Sequence, residues 1–531
     1  MKLLKSLLLS AVVAVFLTNC GGGADILSTP IENVDNTPLK ENELTEKEKH
    51  NWGHLDLVKD TIPGMSVDKA YAELLAGKTS KTIIVAVIDS GIDIEHEDLD
   101  DVVWTNTKEI KGNGKDDDNN GYVDDIHGWN FLGDAYDEQL EMTRILAKGD
   151  TSDPDYARAK QDYDKDYAQA VQVKQNIEGL LQQIPPAQEA LTKHLGKKDY
   201  TKDDVIKIKT EDQALLQAKN IQMFLYDRDL TLEDIKEAAT SYAERLNFNL
   251  GKDFRGRKTD DDINDLIDVG YGNGNVLPVK KSESHGTHVA GIIAAERNNG
   301  KGANGVANNV KIMSLRAVPN GDEYDKDIAL AIRYAVDNGA KVINGSFGKD
   351  FSPHSDWVRD AIAYAGKNDV VFVHAAGNDS KNIDQEANFP DDNVNNGPEV
   401  SDSYITVGAL APKYGSEMVA GFSNFGKNNV DVFAPGAKIY STTPENEYKT
   451  LGGTSMASPA VAGIVALVRS YYPKLSAAQV KQIVVNSGLA IPAKVVVGGN
   501  AEDVRPFGDL SKSGKMANAY NALVMAAQLS K

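Results

Sequence analysis

Short unbroken runs of apolar residues, most of them rich in β-branched side chains, recur along the chain. Such a run suits a strand of a parallel sheet, which is buried on both faces. Segments with apolar positions at helical spacing lie between several runs. This alternation predicts an α/β fold, a three-layer, mostly parallel sheet with helices on both faces. The predicted strands are 81–88, 310–315, 341–344, 370–373, 404–409 and 430–433, and the predicted helices are 288–297, 326–338, 356–367, 455–472, 476–487 and 516–528.

One long segment, residues 136–256, interrupts the alternation. It is charged, poor in β-branched residues and helical in pattern, so we interpret it as an inserted α-helical subdomain. Thr201 and Thr231 are predicted N-caps of two of its helices. An earlier helix is predicted to end at Pro185-Pro186, because proline disrupts helix interiors. Residues at helical spacing form a stripe along one face of this earlier helix. We predict that the stripe packs against other helices and does not bind a ligand. It consists of Tyr156, Tyr163, Tyr167, Ala170, Ile177, Leu181 and Ile184.

The first 51 residues have the pattern of an exported, anchored protein. Residues 1–19 combine two lysines with an apolar run too short to cross a membrane, which predicts a signal peptide. The next residue, Cys20, completes a sequence that resembles a bacterial lipobox, where a lipid is attached to the cysteine. Cys20 is the only cysteine of the chain, which favours lipidation over an ordinary signal peptide that happens to contain one. The polar residues 20–51 are predicted to be a flexible tether.

The chain is acidic, with 78 acidic and 57 basic residues and a net charge of −21. The phosphates of nucleic acid would repel such a protein, so we expect no nucleic-acid partner. Most of the charge is expected to serve solubility.

Three short motifs carry side chains suited to nucleophilic catalysis. Asp89 ends the first predicted strand, and ligands of open α/β sheets bind beyond the carboxyl ends of strands. His285 lies in Ser-His-Gly-Thr-His-Val-Ala-Gly, whose small residues let a helix pack tightly. Ser455 lies in Gly-Gly-Thr-Ser-Met-Ala-Ser-Pro at a predicted helix start, where developing negative charge is stabilised and the glycines let a substrate backbone approach.

These motifs, in the order Asp, His, Ser, resemble those of the subtilisin-like serine proteases, the subtilases. The resemblance covers about residues 52–135 and 257–527. It implies a serine endopeptidase that hydrolyses peptide bonds through an acyl-enzyme intermediate. Ser455 would attack the carbonyl carbon, His285 would accept its proton, and Asp89 would hold the imidazole in the required tautomer.

The resemblance also implies residues that bind substrate. Val-His-Ala-Ala-Gly-Asn resembles the family segment whose asparagine, here Asn378, completes the oxyanion hole. Ser-Phe-Gly matches the family strand that pairs with extended substrate, although Gly345 and Phe347 replace the commoner Met and Leu. His288 and His374, in the same motifs, are expected to be structural. The implied substrate-binding residues are Ser346, Phe347, Gly348, Ala375, Ala376 and Gly377.

Two places are candidate calcium sites. An acidic loop presents oxygen-bearing side chains at alternate positions before a glycine, a pattern that suits calcium, with a solvated acidic turn as the alternative. The second site comes from the resemblance alone, since Asp98 and Asn298 fall near the family's tight calcium site. Calcium is the only cofactor expected, and no organic cofactor is. The predicted ligands of the first site are Asp116, Asp118, Asn120 and Asp124.

Together these patterns predict an envelope protease that acts on proteins or peptides and touches the membrane only through its lipid. The expected location is the bacterial cell envelope, at the outer membrane. The alternative is a catalytically silent surface binding module on the same scaffold, and the complete set of catalytic residues favours the enzyme. The predicted segments are a signal peptide (1–19), a tether (20–51), a first catalytic part (52–135), the insertion (136–256) and a second catalytic part (257–531).

Overall fold

A computed structural model gives the fold and describes residues 29–32, 34, 37–228 and 230–531. The predicted signal peptide and Cys20 lie outside the described residues. The strands are β1 (Ile83–Asp89), β2 (Gly128–Asn130), β3 (Val310–Arg316), β4 (Val342–Gly345), β5 (Val371–Ala375), β6 (Tyr404–Leu410), β7 (Val432–Pro435), β8 (Ile439–Thr443), β9 (Glu447–Leu451), β10 (Leu489–Ala490), β11 (Lys494–Val497), β12 (Asn500–Pro506) and β13 (Lys515–Met516).

The α-helices are joined by a few short 3-10 and π turns. They are α1 (Glu46–Asn51), α2 (Leu57–Asp60), α3 (Val67–Ala70), α4 (Glu141–Lys148), α5 (Tyr156–Leu195), α6 (Lys202–Ile206), α7 (Gln213–Asp227), α8 (Leu232–Glu244), α9 (His285–Ala294), α10 (Asp325–Asp337), α11 (Ser355–Lys367), α12 (Thr454–Tyr471), α13 (Ala477–Ser487) and α14 (Ala519–Leu529). Among the described residues, none of these helices has both the length and the apolar character needed to cross a bilayer.

Nine strands form one sheet in the order β10-β13-β7-β6-β5-β4-β1-β3-β2. Only the pairing of β10 with β13, at one edge, is antiparallel. Alternate residues of β1 pack on opposite faces of the sheet. Val85 and Val87 are buried with α9 and α12, whereas Ala86 and Ile88 are buried with α10 and α11. The predicted three-layer α/β fold is confirmed. The six predicted strands all occur, and the last predicted helix starts three residues later than expected, at Ala519, because β13 includes Met516.

Helix α5 continues through Pro185-Pro186, so the prediction that it ends there is wrong. Ile184, just before the prolines, is buried against α7 and α8, and Leu191, just after them, is buried against α7. Burial on both sides of the prolines outweighs the hydrogen bonds that they cannot make. Thr201 and Thr231 are N-caps as predicted, each within a capping box.

Several of the described residues between 29 and 51 pack on the domain, so the prediction of a flexible tether is wrong for them. Val34 is buried in a hydrophobic cluster with strands of the main sheet. The backbone N–H and C=O of Ile31 both pair with the Asn521 side chain at 2.8 Å. His50, in α1, stacks on Tyr440 of β8 with ring centroids 3.9 Å apart. Burial and paired hydrogen bonds therefore fix this segment.

Candidate active site

The predicted catalytic residues lie on elements that meet at the carboxyl edge of the sheet. Asp89 is the last residue of β1, His285 is the first of α9, and Ser455 is in the first turn of α12. Ser346 follows β4, which pairs with β1, and its hydroxyl donates to the carbonyl of Ser455 at 2.9 Å. Parallel strands end where the following helices begin, so residues distant in sequence share one edge.

Asp89 and His285 are in direct contact, with Nδ1 of His285 2.7 Å from Oδ1 of Asp89. Asp89 is 1% exposed, and the same oxygen accepts the N–H of Ser90 at 2.8 Å. Burial disfavours the imidazolium, but the attraction and hydrogen bond of Asp89 outweigh burial and raise the pKa of His285. The contact orients the ring and leaves Nε2 as the proton acceptor.

Two N–H donors border one small space beside Ser455. The Oδ1 atom of Asn378 accepts from the N–H and hydroxyl of Thr454 at 2.8 and 3.1 Å, which leaves Nδ2 to donate elsewhere. A Cβ atom added to Gly453 would lie 3.5 Å from the Ser455 nitrogen and 3.6 Å from Nδ2 of Asn378. The Ser455 N–H belongs to the first helical turn and has no partner within α12. Two convergent donors are what an oxyanion hole requires.

The nucleophile candidate is not yet paired with the base. The Ser455 hydroxyl donates to the carbonyl of Ser346 at 3.3 Å, a long hydrogen bond. In enzymes without substrate, catalytic hydrogen bonds are often long and tighten only when substrate binds.

The predicted substrate-pairing residues offer backbone, not side chains. Phe347 is buried, and its ring packs on His374 with centroids 5.9 Å apart. The Ser346 hydroxyl is used within the protein. The backbone N–H and C=O of Gly348 make no hydrogen bond to any residue that the structure describes. Gly348 is therefore free to pair with an extended peptide.

Residues 375–377 connect β5 to Asn378 and fix its position. Gly377 has φ +100°, a conformation that favours glycine, and its N–H donates to the Thr454 hydroxyl at 3.0 Å. The carbonyl of Ala376 accepts from Asn424 at 2.9 Å, and Ala375 is the last residue of β5.

His288 and His374 are structural, as expected. Burial lowers the pKa of each imidazole to about 4, so both are neutral near pH 7. Their Nε2 atoms lie 2.9–3.1 Å from backbone carbonyls, those of Ile439 and Lys449 for His288 and that of Phe347 for His374.

The acidic loop brings three carboxylates together. Oxygens of Glu109, Asp116 and Asp118 all lie within 4.8 Å of one another. Asn120 lies beside them, with its N–H 3.1–3.2 Å from carboxylate oxygens of both aspartates. Clustered carboxylates are ligands that calcium prefers. The residues present therefore fit the predicted cation.

Asp124 is not in this group, and Glu109 takes its place. The Asp124 carboxylate accepts backbone N–H groups of residues 112–114 at 2.7–3.2 Å and so closes a neighbouring turn. Glu109 is buried and accepts the N–H of Asp117 at 2.8 Å. It precedes the alternating motif, so no spacing rule identified it; its only signal was an acid close to an acidic loop.

The second predicted calcium site has no group of three clustered acidic residues among those that the structure describes. Asp98 is buried, but its carboxylate accepts from the Asn299 side chain at 2.6 Å and from the Ala303 N–H at 3.0 Å. The partner is Asn299, not the predicted Asn298. The ammonium of Lys301 donates to a backbone carbonyl of the same turn at 2.6 Å. Protein donors also bond Glu109 and Asp116, so what separates the two sites is the carboxylate cluster, which includes Asp116 and not Asp98 among the described residues.

The fold and this constellation together define a class: an α/β serine hydrolase with an Asp–His pair and a helix-start serine. The model of the subtilase family matches residues 80–514. The chain belongs to the subtilase family of serine peptidases.

Individual relatives match shorter stretches. A thermophilic serine proteinase of Bacillus sp. (strain AK1) is 45% identical over 188 residues, which is 35% of this chain and 43% of that protein. Subtilisin DY of Bacillus licheniformis is 40% identical over 198 residues, 37% of this chain and 67% of the other. A solved protease structure from Pseudoalteromonas arctica has a TM-score of 0.40 and 28% identity, and covers 48% of this chain and 79% of that one.

Proposed function

We propose that this chain is a serine endopeptidase that cleaves peptide bonds in proteins, with Ser455 as nucleophile. The observation that carries the proposal is the 2.7 Å contact between His285 and the buried Asp89, in a site that also holds a helix-start serine. Protein and peptide substrates are favoured by the unpaired backbone of Gly348, which can add an extended peptide to the protein.

In the first step the Ser455 hydroxyl exchanges its bond to Ser346 for one to Nε2 of His285. As Oγ attacks the scissile carbonyl carbon, the proton passes to His285, and Asp89 stabilises the resulting imidazolium from Nδ1. The carbonyl oxygen becomes an oxyanion, which the Ser455 N–H and Nδ2 of Asn378 stabilise.

Collapse of this tetrahedral intermediate breaks the C–N bond. His285 returns the proton to the departing amine, which leaves an acyl ester on Ser455. Water then attacks the ester with His285 again as base, and the carboxylic acid product leaves as Ser455 regains its proton.

A phosphonate that labels activated serines tests this function. Wild-type protein should be labelled and should hydrolyse a peptide substrate, whereas Ser455→Ala should do neither. The matched control is Ser458→Ala, one turn further along α12, where the hydroxyl only donates to Asn344 at 2.8 Å. Absence of labelling in folded wild-type protein would favour the alternative, a binding module without catalysis.

We also propose that Glu109, Asp116, Asp118 and Asn120 hold a structural calcium ion. The support is the gathering of carboxylates described above, two of them from the predicted motif. Bound calcium would neutralise these carboxylates and tie together the loop that contains them.

A third proposal concerns location: the protein is lipidated at Cys20 and anchored in a bacterial envelope, at the outer membrane. The support is the short apolar run that ends at the single cysteine. Metabolic labelling with a fatty-acid analogue should mark the wild type and not Cys20→Ala. An unlabelled wild type would refute the anchor and leave the peptidase proposal intact.

A further inference from the structure

Glu283 and Arg316 form a buried ion pair next to the catalytic residues. Nε of Arg316 donates to Oε1 of Glu283 at 2.7 Å, and the two side chains are 0% and 2% exposed. In the parallel pairing of β1 with β3, Arg316 lies in register with Asp89. Glu283 lies two residues before His285. Each partner is therefore adjacent to one member of the Asp–His contact.

The Glu283 carboxylate joins the turn after Asp89 to the loop before His285. Its Oε1 atom, besides accepting from Arg316, accepts the N–H of Gly91 at 2.9 Å. Its Oε2 atom accepts the N–H of Val279 at 2.7 Å. One side chain thus holds segments that carry both catalytic residues.

Arg316 extends these contacts on the other side. Its terminal nitrogens donate to the Asn130 side chain at 3.1 Å and to the carbonyls of Gly133 and Ala135 at 3.0 and 2.7 Å. The two residues after Arg316 donate their N–H groups to the carbonyl of Asp89 at 2.9 and 3.1 Å. The guanidinium therefore fixes the end of β3 beside the end of β1.

Such a pair is not explained by stability. Moving two charges out of water is costly, and apolar residues of similar volume often replace a buried ion pair without loss of stability. What apolar side chains cannot do is fix three separate segments through directional hydrogen bonds.

We infer that Glu283 and Arg316 are positioning residues that hold Asp89 and His285 in the geometry needed for proton transfer. The inference rests on the proposed peptidase function. The hydrogen bonds of the two side chains to the described residues involve neither Ser455 nor Asn378. The pair acts on the rate of the chemical step through the Asp89–His285 contact, not on substrate binding by residues 346–348.

The test compares Glu283→Gln with the matched variant Asp261→Asn. Asp261 and Lys326 form an equally buried ion pair, 2.9 Å long and 0% exposed on both sides, that contacts neither Asp89 nor His285. Peptide hydrolysis is measured per active site, counted by phosphonate titration. Glu283→Gln should lower kcat on the order of a hundred-fold with KM changed by less than about two-fold, because a small displacement of catalytic groups slows chemistry without weakening binding. Asp261→Asn should leave kcat within about two-fold of wild type.

If Glu283→Gln does not fold, Glu283→Asp takes its place in the comparison. It keeps the negative charge opposite Arg316 but is one methylene too short to reach Gly91, Val279 and Arg316 together, so it should also lower kcat and spare KM. Folded Glu283 variants with wild-type kcat, or with the same kcat as Asp261→Asn, would overturn the inference. A wild type that neither hydrolyses peptide nor reacts with phosphonate would instead refute the proposed function.

Discussion

Glu141, in the first helix of the insertion, and Lys349, directly after the substrate-pairing residues 346–348, form a buried ion pair of 3.0 Å. Glu141 also pairs with Arg144 at 2.6 Å, and Lys349 with Asp325 at 3.0 Å. Burial opposes ionisation of Glu141, but the two cations outweigh burial and lower its pKa to about 2. The first helix of the insertion is thus bonded to the segment that directly follows the predicted substrate-pairing residues 346–348.

This pairing predicts different results for two deletions. Replacing residues 136–255 with a Gly/Ser linker should give insoluble or inactive protein, because Lys349 loses its partner Glu141 and Phe351 loses the apolar residues of the insertion that bury it. Replacing only residues 178–234 leaves Glu141 and the start of α5 in place and should give a soluble enzyme. Solubility and phosphonate labelling of both proteins check this expectation.

The shorter deletion also tests whether the insertion restricts access. Glu237, in α8, lies 3.7 Å from Lys449 in β9, and the shorter deletion keeps this contact, so the deletion tests only the part of the insertion formed by residues 178–234. If it restricts access, the truncated enzyme should cut folded proteins faster and short peptides at an unchanged rate. Equal rates on both substrates in truncated and full-length enzyme would mean that residues 178–234 have no gating role.

The raised pKa of His285 predicts the pH dependence of activity. The imidazole must be neutral to accept the serine proton, so kcat/KM should rise with pH, with its midpoint above the usual value of about 6.5. Asp89→Asn removes the attraction that raises the pKa, so the midpoint should move down while kcat falls on the order of ten-thousand-fold. A flat profile between about pH 5 and 9 would contradict the role of His285.

The oxyanion space predicts the effect of two substitutions. Asn378→Leu removes one donor and should lower kcat by roughly a hundred- to a thousand-fold. Gly453→Ala should also lower kcat, because its methyl group would lie 3.5–3.6 Å from both donors and fill the space between them. Gly508→Ala, where an added Cβ meets no atom within 4 Å, is the control and should have wild-type kinetics.

The carboxylate group predicts a calcium response of the fold. The melting temperature should rise with added calcium and fall with chelator, because an ion that binds only the folded state stabilises it. Asp116→Asn and Glu109→Gln should blunt the response. Asp98→Asn should lower the melting temperature, because it disturbs the bonds of Asp98 to Asn299 and Ala303, but keep the response, since Asp98 lies outside the carboxylate group. A wild-type melting temperature insensitive to both reagents would refute the site.

Glu323 predicts a pH-dependent loss of stability. Burial raises the pKa of its carboxyl to about 8, and one carboxyl oxygen has no partner among the described residues. The folded state therefore holds a proton that the unfolded chain releases near its usual pKa of about 4.3. This stabilisation is complete below about pH 4 and is lost as the pH rises through about 8. Glu323→Gln should gain melting temperature over wild type between pH 5 and 9, and a constant difference would contradict the assignment.

The sequence by itself determined the fold class and the candidate catalytic residues. Strands buried on both faces must be continuously apolar, so the strands at 310–315 and 404–409 could be predicted without knowledge of the tertiary structure. The motif around Ser455 could be recognised in the same way, because a nucleophile at a helix start needs small residues next to it in the sequence. These features depend on residues close together in sequence.

Tertiary structure decided whatever depended on distant contacts. Helix α5 passes its prolines only because other helices bury both sides of them. Glu109 joins Asp116 and Asp118, while Asp124 turns to backbone amides, through loop geometry that no spacing encodes. Glu283 and Arg316 are 33 residues apart and meet because the loop before α9 packs on the turn after β1, beside the end of β3. The role of a buried charged residue depends on its partner, and only folding brings that partner within hydrogen-bond distance.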